Sequence, residues 1–227
     1  VALSYDLAVD GVRALYDRRI SGPPVLKLDR DFALGRAFVE AWRAIRDEAL
    51  EVRRRIEAVP RFHEIMPEQA AISANDGRDW RMFILKAYGV EQLRNMAACP
   101  HLAALVREIP EVLSASFSFL GPRKHIPPHR GPIRGILRFY MMLSMPRADD
   151  GSPAAVLKVD EVEYRLDEGQ FLLWDDTFLH EAWNDSDEVR IVLSLDVWRP
   201  HMPVDMQFLS ALLIRLVRLG IRIRGLG

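Results

Sequence analysis

The sequence predicts a mainly β domain with flanking helices, an antiparallel sandwich or barrel of the jelly-roll kind. Three observations carry that prediction. Beyond Pro110, short runs rich in branched and aromatic residues recur at 113–120, 133–145, 154–159, 162–166, 170–174 and 190–198. Turn signals separate them: Gly121-Pro122, Asp149-Asp150-Gly151, Asp160-Glu161, Asp167-Glu168-Gly169 and Asn184-Asp185. Short strands with such regular punctuation form antiparallel sheets. Before Pro110 and after residue 205, by contrast, apolar residues recur at helical spacing. The expected division is a helical segment packed on the core (1–112), the β core (113–200) and a basic amphipathic helix (201–227), all in one structural domain.

Taken in order, a short helix is expected over 10–19, closed by Gly22-Pro23-Pro24. Over 32–59, Phe38, Ala41, Trp42, Ile45, Val52 and Ile56 make one apolar helical stripe. Arg36, Arg43, Asp47, Glu51, Arg54 and Glu57 fall mostly off it, and Pro60 ends the helix. Residues 60–80 read as loop, 81–88 as a strand ended by Gly89, and 100–107 as a short helix closed by Pro110. From 206 to 226, Phe208, Leu209, Leu212, Leu213, Leu216, Val217 and Ile221 are interleaved with Arg215, Arg218, Arg222 and Arg224. Such a helix either packs on the sandwich with its arginines exposed or lies on an anionic membrane surface.

Composition excludes several functions. Lys and Arg total 31 against 32 Asp and Glu, so no basic field favours nucleic acid. The single cysteine, Cys99, permits no intrachain disulfide, suits a reducing compartment and reads as structural. No apolar run reaches the roughly 20 residues that span a bilayer. The chain starts at Val1, with an initiator expected before it, and lacks a secretory signal core. The expected location is the cytoplasm, with the inner face of the membrane as the alternative that the last helix offers.

The chemistry is carried by two His/Arg pairs. His129 and Arg138 lie nine residues apart, and His180 and Arg190 ten apart. Neutral imidazole is a good donor to a borderline metal, and a jelly roll brings distant residues together at the barrel mouth. Pro127 and Pro128 exclude a helix around His125 and His129, so these two are not a helical ligand pair. Alternation along 136–142 puts Arg138, Tyr140 and Met142 on one face and Leu137, Phe139 and Met141 on the other. Along 190–198, Arg190, Val192 and Ser194 share a face opposite Ile191, Leu193 and Leu195. With Leu137 and Ile191 packed on one side, Arg138 and Arg190 point into a wet cavity, where an arginine needs an anion such as a carboxylate. A metal plus an inward arginine suits a dicarboxylate such as 2-oxoglutarate. Taken singly, each residue has a plainer reading: a surface histidine, a paired arginine, or turn residues at Asp175 and Asp176 and at Asp185 and Asp187.

Three stretches resemble the aspartyl/asparaginyl β-hydroxylase family of Fe(II)- and 2-oxoglutarate-dependent oxygenases: Phe-Ser-Phe-Leu-Gly-Pro at 117–122, Pro-His-Arg-Gly-Pro at 128–132 and Asp-Asp-Thr-Phe-Leu-His-Glu-Ala-Trp-Asn at 175–184. The closing Asp-Val-Trp-Arg-Pro at 196–200 agrees as well, within a match running from about 32 to 200. The resemblance implies a double-stranded β-helix, a cupin-like jelly roll. It implies iron on His129 and His180, Arg190 on the distal carboxylate of 2-oxoglutarate, Ser118 as a further cosubstrate contact, and Arg138 on a cosubstrate or substrate carboxylate. The wider superfamily adds a carboxylate two residues after the first histidine. Here that position is Gly131, as in the hydroxylase family, with water expected there and Asp176 positioned to hold it. Tyr140 stands where the family usually carries a supporting histidine, and its hydroxyl would donate to a carboxylate. His125 is expected to be a turn residue.

The expected activity is a dioxygenase that hydroxylates an unactivated C–H, with O2 and 2-oxoglutarate as co-reactants. The substrate expected from the resemblance is the β-carbon of Asp or Asn in a peptide, protein or small carboxylate, bound by Arg138 or by one of Arg123, Arg130 and Arg134. A membrane-lipid acyl chain is the alternative, supported by the basic C-terminal helix. A catalytically silent cupin-like binding module is the third reading. The family likeness further suggests a stand-alone bacterial catalytic domain.

Overall fold

Alternation along the long strands decides the architecture. In Ile136–Ser144, Leu137, Phe139, Met141 and Leu143 are fully buried in a core shared with helices, whereas Tyr140 and Met142 join clusters on the opposite face. A sheet apolar on both faces must be covered on both, and here helices take one side and a second sheet the other. The computed structural model describes residues 2–223, with side chains described from Asp10 onward.

The strands are β1 (Val25–Leu26), β2 (Trp80–Ala87), β3 (Val90–Glu91), β4 (Val112–Leu120), β5 (His125–His129), β6 (Ile136–Ser144), β7 (Ala155–Val159), β8 (Val162–Tyr164), β9 (Phe171–Trp174), β10 (His180–Asn184) and β11 (Arg190–Trp198). The larger sheet has the order β1-β9-β6-β11-β4-β2-β3 and the smaller the order β5-β10-β7-β8. All pairings are antiparallel. From β4 onward the chain alternates between the sheets except at the β7–β8 hairpin, the topology of a double-stranded β-helix. β2 continues the larger sheet beyond β4, with Met82 opposite Ser118.

The outer face of the larger sheet is covered by α2 (Trp42–Arg53) and α3 (Pro100–Glu108), which follow α1 (Ala2–Asp17). Ile45, Ala49, Leu102 and Val106 bury against Phe117, Phe119, Phe139 and Leu193. The continuous helix expected over 32–59 is broken: Arg36–Glu40 is separate from α2, and Ala41 between them leaves helical geometry (φ −85°, ψ 7°). The break sets Phe38 6.3 Å from the Phe139 ring while Ile45 stays in the same core. Cys99 is buried there, its thiol pushed up to about 12 by burial.

The largest correction concerns β5. Residues 125–129, expected as a turn, form an edge strand. Pro127 and Pro128 are tolerated because an edge strand needs few ladder N–H groups. Across β10, His129 pairs with His180 and Ile126 with Ala182, so three steps on β5 face two on β10. The extra residue is a bulge at the two prolines. Likewise, His180 opens β10 and does not trail the preceding strand.

The C-terminal helix α4 (Val204–Ile223) lies across the end of the barrel. Met206 and Ile214 pack on Ile133, Ile136 and Tyr16, and the Tyr16 and Ser210 hydroxyls are hydrogen-bonded at 2.7 Å. A Cβ on Gly135 would overlap Ser210, so glycine is what lets α4 sit against the loop before β6. Of the residues expected in this helix, Arg224 and Leu226 lie outside the described residues.

Candidate active site

The β5 bulge sorts two histidines that simple alternation would place together. His125 faces outward, 2.9 Å from Glu181 and edge-on to Trp183. His129 lies on the other side, its ring centroid 4.1 Å from that of His180. Each of these two rings is fixed by its own strand entry: His129 Nδ1 donates to the Pro127 carbonyl (2.8 Å) and His180 Nδ1 to the Phe178 carbonyl (2.9 Å). A carbonyl only accepts, so both Nδ1 atoms carry the proton and both Nε2 lone pairs stay free. Burial lowers the pKa of His129, with Arg138 adding to it, and lowers that of His180 well below its ordinary value, with His129 adding to it. Two neutral, oriented imidazoles side by side make a donor pair suited to a divalent metal.

Gly131 follows His129 by two residues, and a Cβ there would overlap the Asp176 carboxylate. Asp176 therefore occupies the room that a side chain at 131 would need, and its carbonyl accepts from Gly131 N at 2.7 Å. Arg138 links Asp176 (3.1 Å) to Asp196 (2.9 Å). Asp196 is a residue that the sequence reading passed over. It continues the inward phase of Arg190, Val192 and Ser194, and extending that face by one repeat would have found it. Burial raises the Asp176 carboxyl to about 6, Arg138 opposing and Asp196 and Asp175 assisting. Its buried Oδ1 has no hydrogen-bond partner among the described residues. Among the described residues no three His, Cys, Asp or Glu side chains form a metal cage; the two imidazoles are the groups at this point that could hold a metal.

From His180 a row of polar groups runs along the barrel interior. Trp174 stands edge-on to both His180 (4.7 Å) and Tyr140 (5.5 Å), and its buried indole N–H has no acceptor among the described residues. Tyr140 lines a crevice between the sheets together with Arg190, Met142, Leu157 and Val192. Arg190 is 5% exposed, and its buried Nη1 has no partner among the described residues. Burial pulls its pKa down to about 10. A guanidinium left unpaired in such a place is costly unless an anion joins it. Ser118 is buried on β4 and accepts from Trp80 Nε1 at 3.0 Å. Arg138 is differently placed from Arg190: both its anionic partners belong to the protein.

The other arginines considered for a substrate carboxylate differ among themselves. Arg134 is buried between Asp175 (3.1 Å) and Asp17 (2.5 Å), and exposed Arg123 pairs with Asp187 (2.8 Å). Arg130 is exposed and donates to the Thr177 carbonyl at 3.1 Å. Asp175 is more than a turn residue: it is 1% exposed and holds Arg134, Arg199 and the Thr177 hydroxyl.

Residues 39–200 match the sequence model of the aspartyl/asparaginyl β-hydroxylases. The chain belongs to that family. Within it, the chain is 36% identical over 182 residues to an ornithine lipid ester-linked acyl 2-hydroxylase of Rhizobium tropici, covering 80% of this chain and 63% of that protein. It is 28% identical over 169 residues to the human aspartyl/asparaginyl β-hydroxylase, covering 71% of this chain and 20% of that one. The chain thus spans less than two thirds of either relative. Among solved structures, a Pseudomonas putida prolyl-4-hydroxylase is similar with a TM-score of 0.42 at 15% identity, covering 84% of this chain and 98% of that one.

Proposed function

We propose that this member of the β-hydroxylase family is an Fe(II)- and 2-oxoglutarate-dependent hydroxylase acting on an ester-linked acyl chain of a polar lipid. The observation that carries the cofactor reading is the pairing of two neutral imidazoles having free Nε2 atoms with a buried, unpaired Arg190 in the same barrel. His129 and His180 would hold the iron. Arg190 would take the distal carboxylate of 2-oxoglutarate, with Trp174 Nε1 and the Tyr140 hydroxyl as further donors along the way. Bound iron, with 2-oxoglutarate and O2, supplies oxidative decarboxylation to succinate and CO2 and puts one oxygen atom into a C–H bond of the substrate.

The remaining work belongs to this chain's own side chains. The Pro127 and Phe178 carbonyls fix the two imidazoles in one tautomer. Arg138 and Asp196 hold Asp176 beside Gly131, where its unpaired Oδ1 can order a water that no protein ligand replaces. Leu157, Leu172, Trp174 and Ala182 keep bulk water from the interior, which strengthens each charged contact inside.

The lipid reading rests on the likeness to the ornithine lipid acyl 2-hydroxylase. The human relative favours a second reading, the β-carbon of Asp or Asn, for which exposed Arg130 is the available substrate anchor. The test is anaerobic addition of Fe(II) and 2-oxoglutarate to the metal-free protein. A weak visible charge-transfer band is expected, lost in His129→Ala and Arg190→Ala. Incubation with O2 and either acyl lipid or an Asp-containing peptide then decides the substrate by a one-oxygen mass gain. Absence of both band and iron affinity would overturn the oxygenase reading and leave the binding module.

A further inference from the structure

Helix α4 has two apolar sides, and the fold uses one. Met206, Ser210 and Ile214 are buried against the barrel end. On the other side Val204 (66% exposed), Phe208 (73%), Leu212 (54%), Leu216 (56%), Leu219 (55%) and Ile223 (76%) are open to solvent. At 100° per residue these six fall within an arc of about 120°, a continuous ridge along a helix about 30 Å long. Exposed Arg215 and Arg222 fall within the same arc. Arg218 is turned away, donating to the Tyr88 carbonyl at 2.7 Å.

The ridge is joined to the His129 end of the barrel. Ser210, on its buried side, sits where a Cβ of Gly135 would be, and Tyr16 of α1 bonds the same serine. Arg13 of α1 donates to the Gly131 carbonyl at 3.4 Å. Both terminal helices therefore clasp the loop 130–135 that leads from His129 into β6.

We propose that the α4 ridge seats the protein on the surface of an anionic phospholipid bilayer, bringing the His129–Gly135 end of the barrel to the lipid. Its purpose rests on the acyl-lipid reading above. An amphipathic helix with a wide apolar face and interleaved arginines lies in the headgroup boundary, with phosphates pairing the arginines. Among the described residues no helix is long and apolar enough to cross a membrane, so the contact lies along the surface. A second copy of the chain fits less well. Two ridges packed together would bring Arg215 and Arg222 into an apolar seam, and the helix's single acid, Asp205, is already engaged by Arg19 at 2.8 Å.

The test uses the full chain and sedimentation with phosphatidylcholine vesicles, with and without phosphatidylglycerol. The wild type is expected to sediment with the phosphatidylglycerol vesicles. Arg215→Glu/Arg222→Glu should weaken that binding at least tenfold, and Leu212→Glu/Leu216→Glu should abolish it with the melting temperature retained. A wild type that stays in the supernatant, or glutamate variants that bind as well as it does, would overturn the proposal. So would a wild-type dimer that Leu212→Glu/Leu216→Glu converts to monomers. Substrate is separated from docking by presenting acyl lipid in detergent: Leu212→Glu/Leu216→Glu should turn it over like the wild type and lose at least tenfold only on vesicles. If the wild type hydroxylates no acyl lipid even in detergent, the substrate reading fails while sedimentation still judges the docking.

Discussion

Replacing Arg190 by Met separates two effects of one side chain. In the ligand-free protein the guanidinium is buried with Nη1 unpaired, and its pKa is held down at about 10. That fall from the ordinary value is worth about 3 kcal/mol against the charged form. A base whose pKa is lowered by folding destabilises the fold wherever it is charged. The cost is therefore present throughout the range below pH 10 and disappears only as the pH rises through and beyond that value. Arg190→Met keeps much of the volume and removes the charge, so it should stabilise the ligand-free protein by up to about 3 kcal/mol, roughly 6–12 °C in melting temperature for a domain of this size. The same change removes the partner of a buried carboxylate, which costs about 2–5 kcal/mol of binding, or roughly 30- to 5,000-fold in 2-oxoglutarate affinity. Thermal unfolding under argon, with Fe(II) and increasing 2-oxoglutarate, reads both. The wild type should start lower and climb with 2-oxoglutarate; Arg190→Met should start higher and stay flat. A variant that melts below the wild type without ligand, and still climbs over the same concentrations, would show that Arg190 is held by the fold and not by an anion.

Three further outcomes follow from the same geometry. His129 and His180 have lowered pKa values, so below about pH 6.5 the unfolded chain takes up protons that the fold refuses, and stability falls as the pH drops. Their Nε2 donors should remain available there, giving a metal-binding midpoint below pH 6.5 in a Zn(II) titration; a midpoint at or above that value contradicts it. Asp176 acts oppositely: raised to about 6, it binds a proton more readily folded than unfolded, so stability is gained as the pH falls from 6 toward about 4. Asp176→Asn should erase that gain, as urea unfolding at both pH values will show. Gly131→Ala should force Asp176 from its place, with a loss of about 1–3 kcal/mol and weaker metal retention. A melting curve and metal stoichiometry matching the wild type would refute it.

Much of the β core was legible because burial follows parity. Leu137, Phe139, Ile191 and Leu193 sit on one side of the larger sheet and Tyr140 and Arg190 on the other, as alternation requires. The pattern failed where geometry departs from strict parity or where a partner is remote. β5 read as a turn because its two prolines are turn formers, and nothing local says that the strand is an edge. Asp175 read as turn chemistry because its partners Arg134 and Arg199 are 41 and 24 residues away. The stripe over 32–59 was read correctly as apolar, but the break at Ala41 answers to the packing of Phe38 and Ile45 over Phe139 and leaves no mark in spacing. The ridge on α4 was visible as composition; which of its two apolar sides is free depends on Gly135 and Tyr16.

The bulge at Pro127-Pro128 has a consequence for how this segment can change. Sidedness in a strand is a matter of counting, and here the count is offset by one between the two histidines of β5. Deleting either proline would leave His125 and His129 three residues apart, a spacing that plain alternation puts on opposite sides without any bulge. A strand that kept both residues but lost the bulge would instead bring the two histidines to the same side. Either His129 would leave His180, or His125 would carry its contacts with Glu181 and Trp183 into the barrel. Removing one residue keeps His129 on the interior side, whereas replacing both prolines by strand formers such as valine frees the segment to pair evenly and rewrites which histidine the interior receives. The segment should therefore accept loss of one proline more readily than replacement of both, while the Asp149-Asp150-Gly151 turn, which fixes no such count, should accept either change.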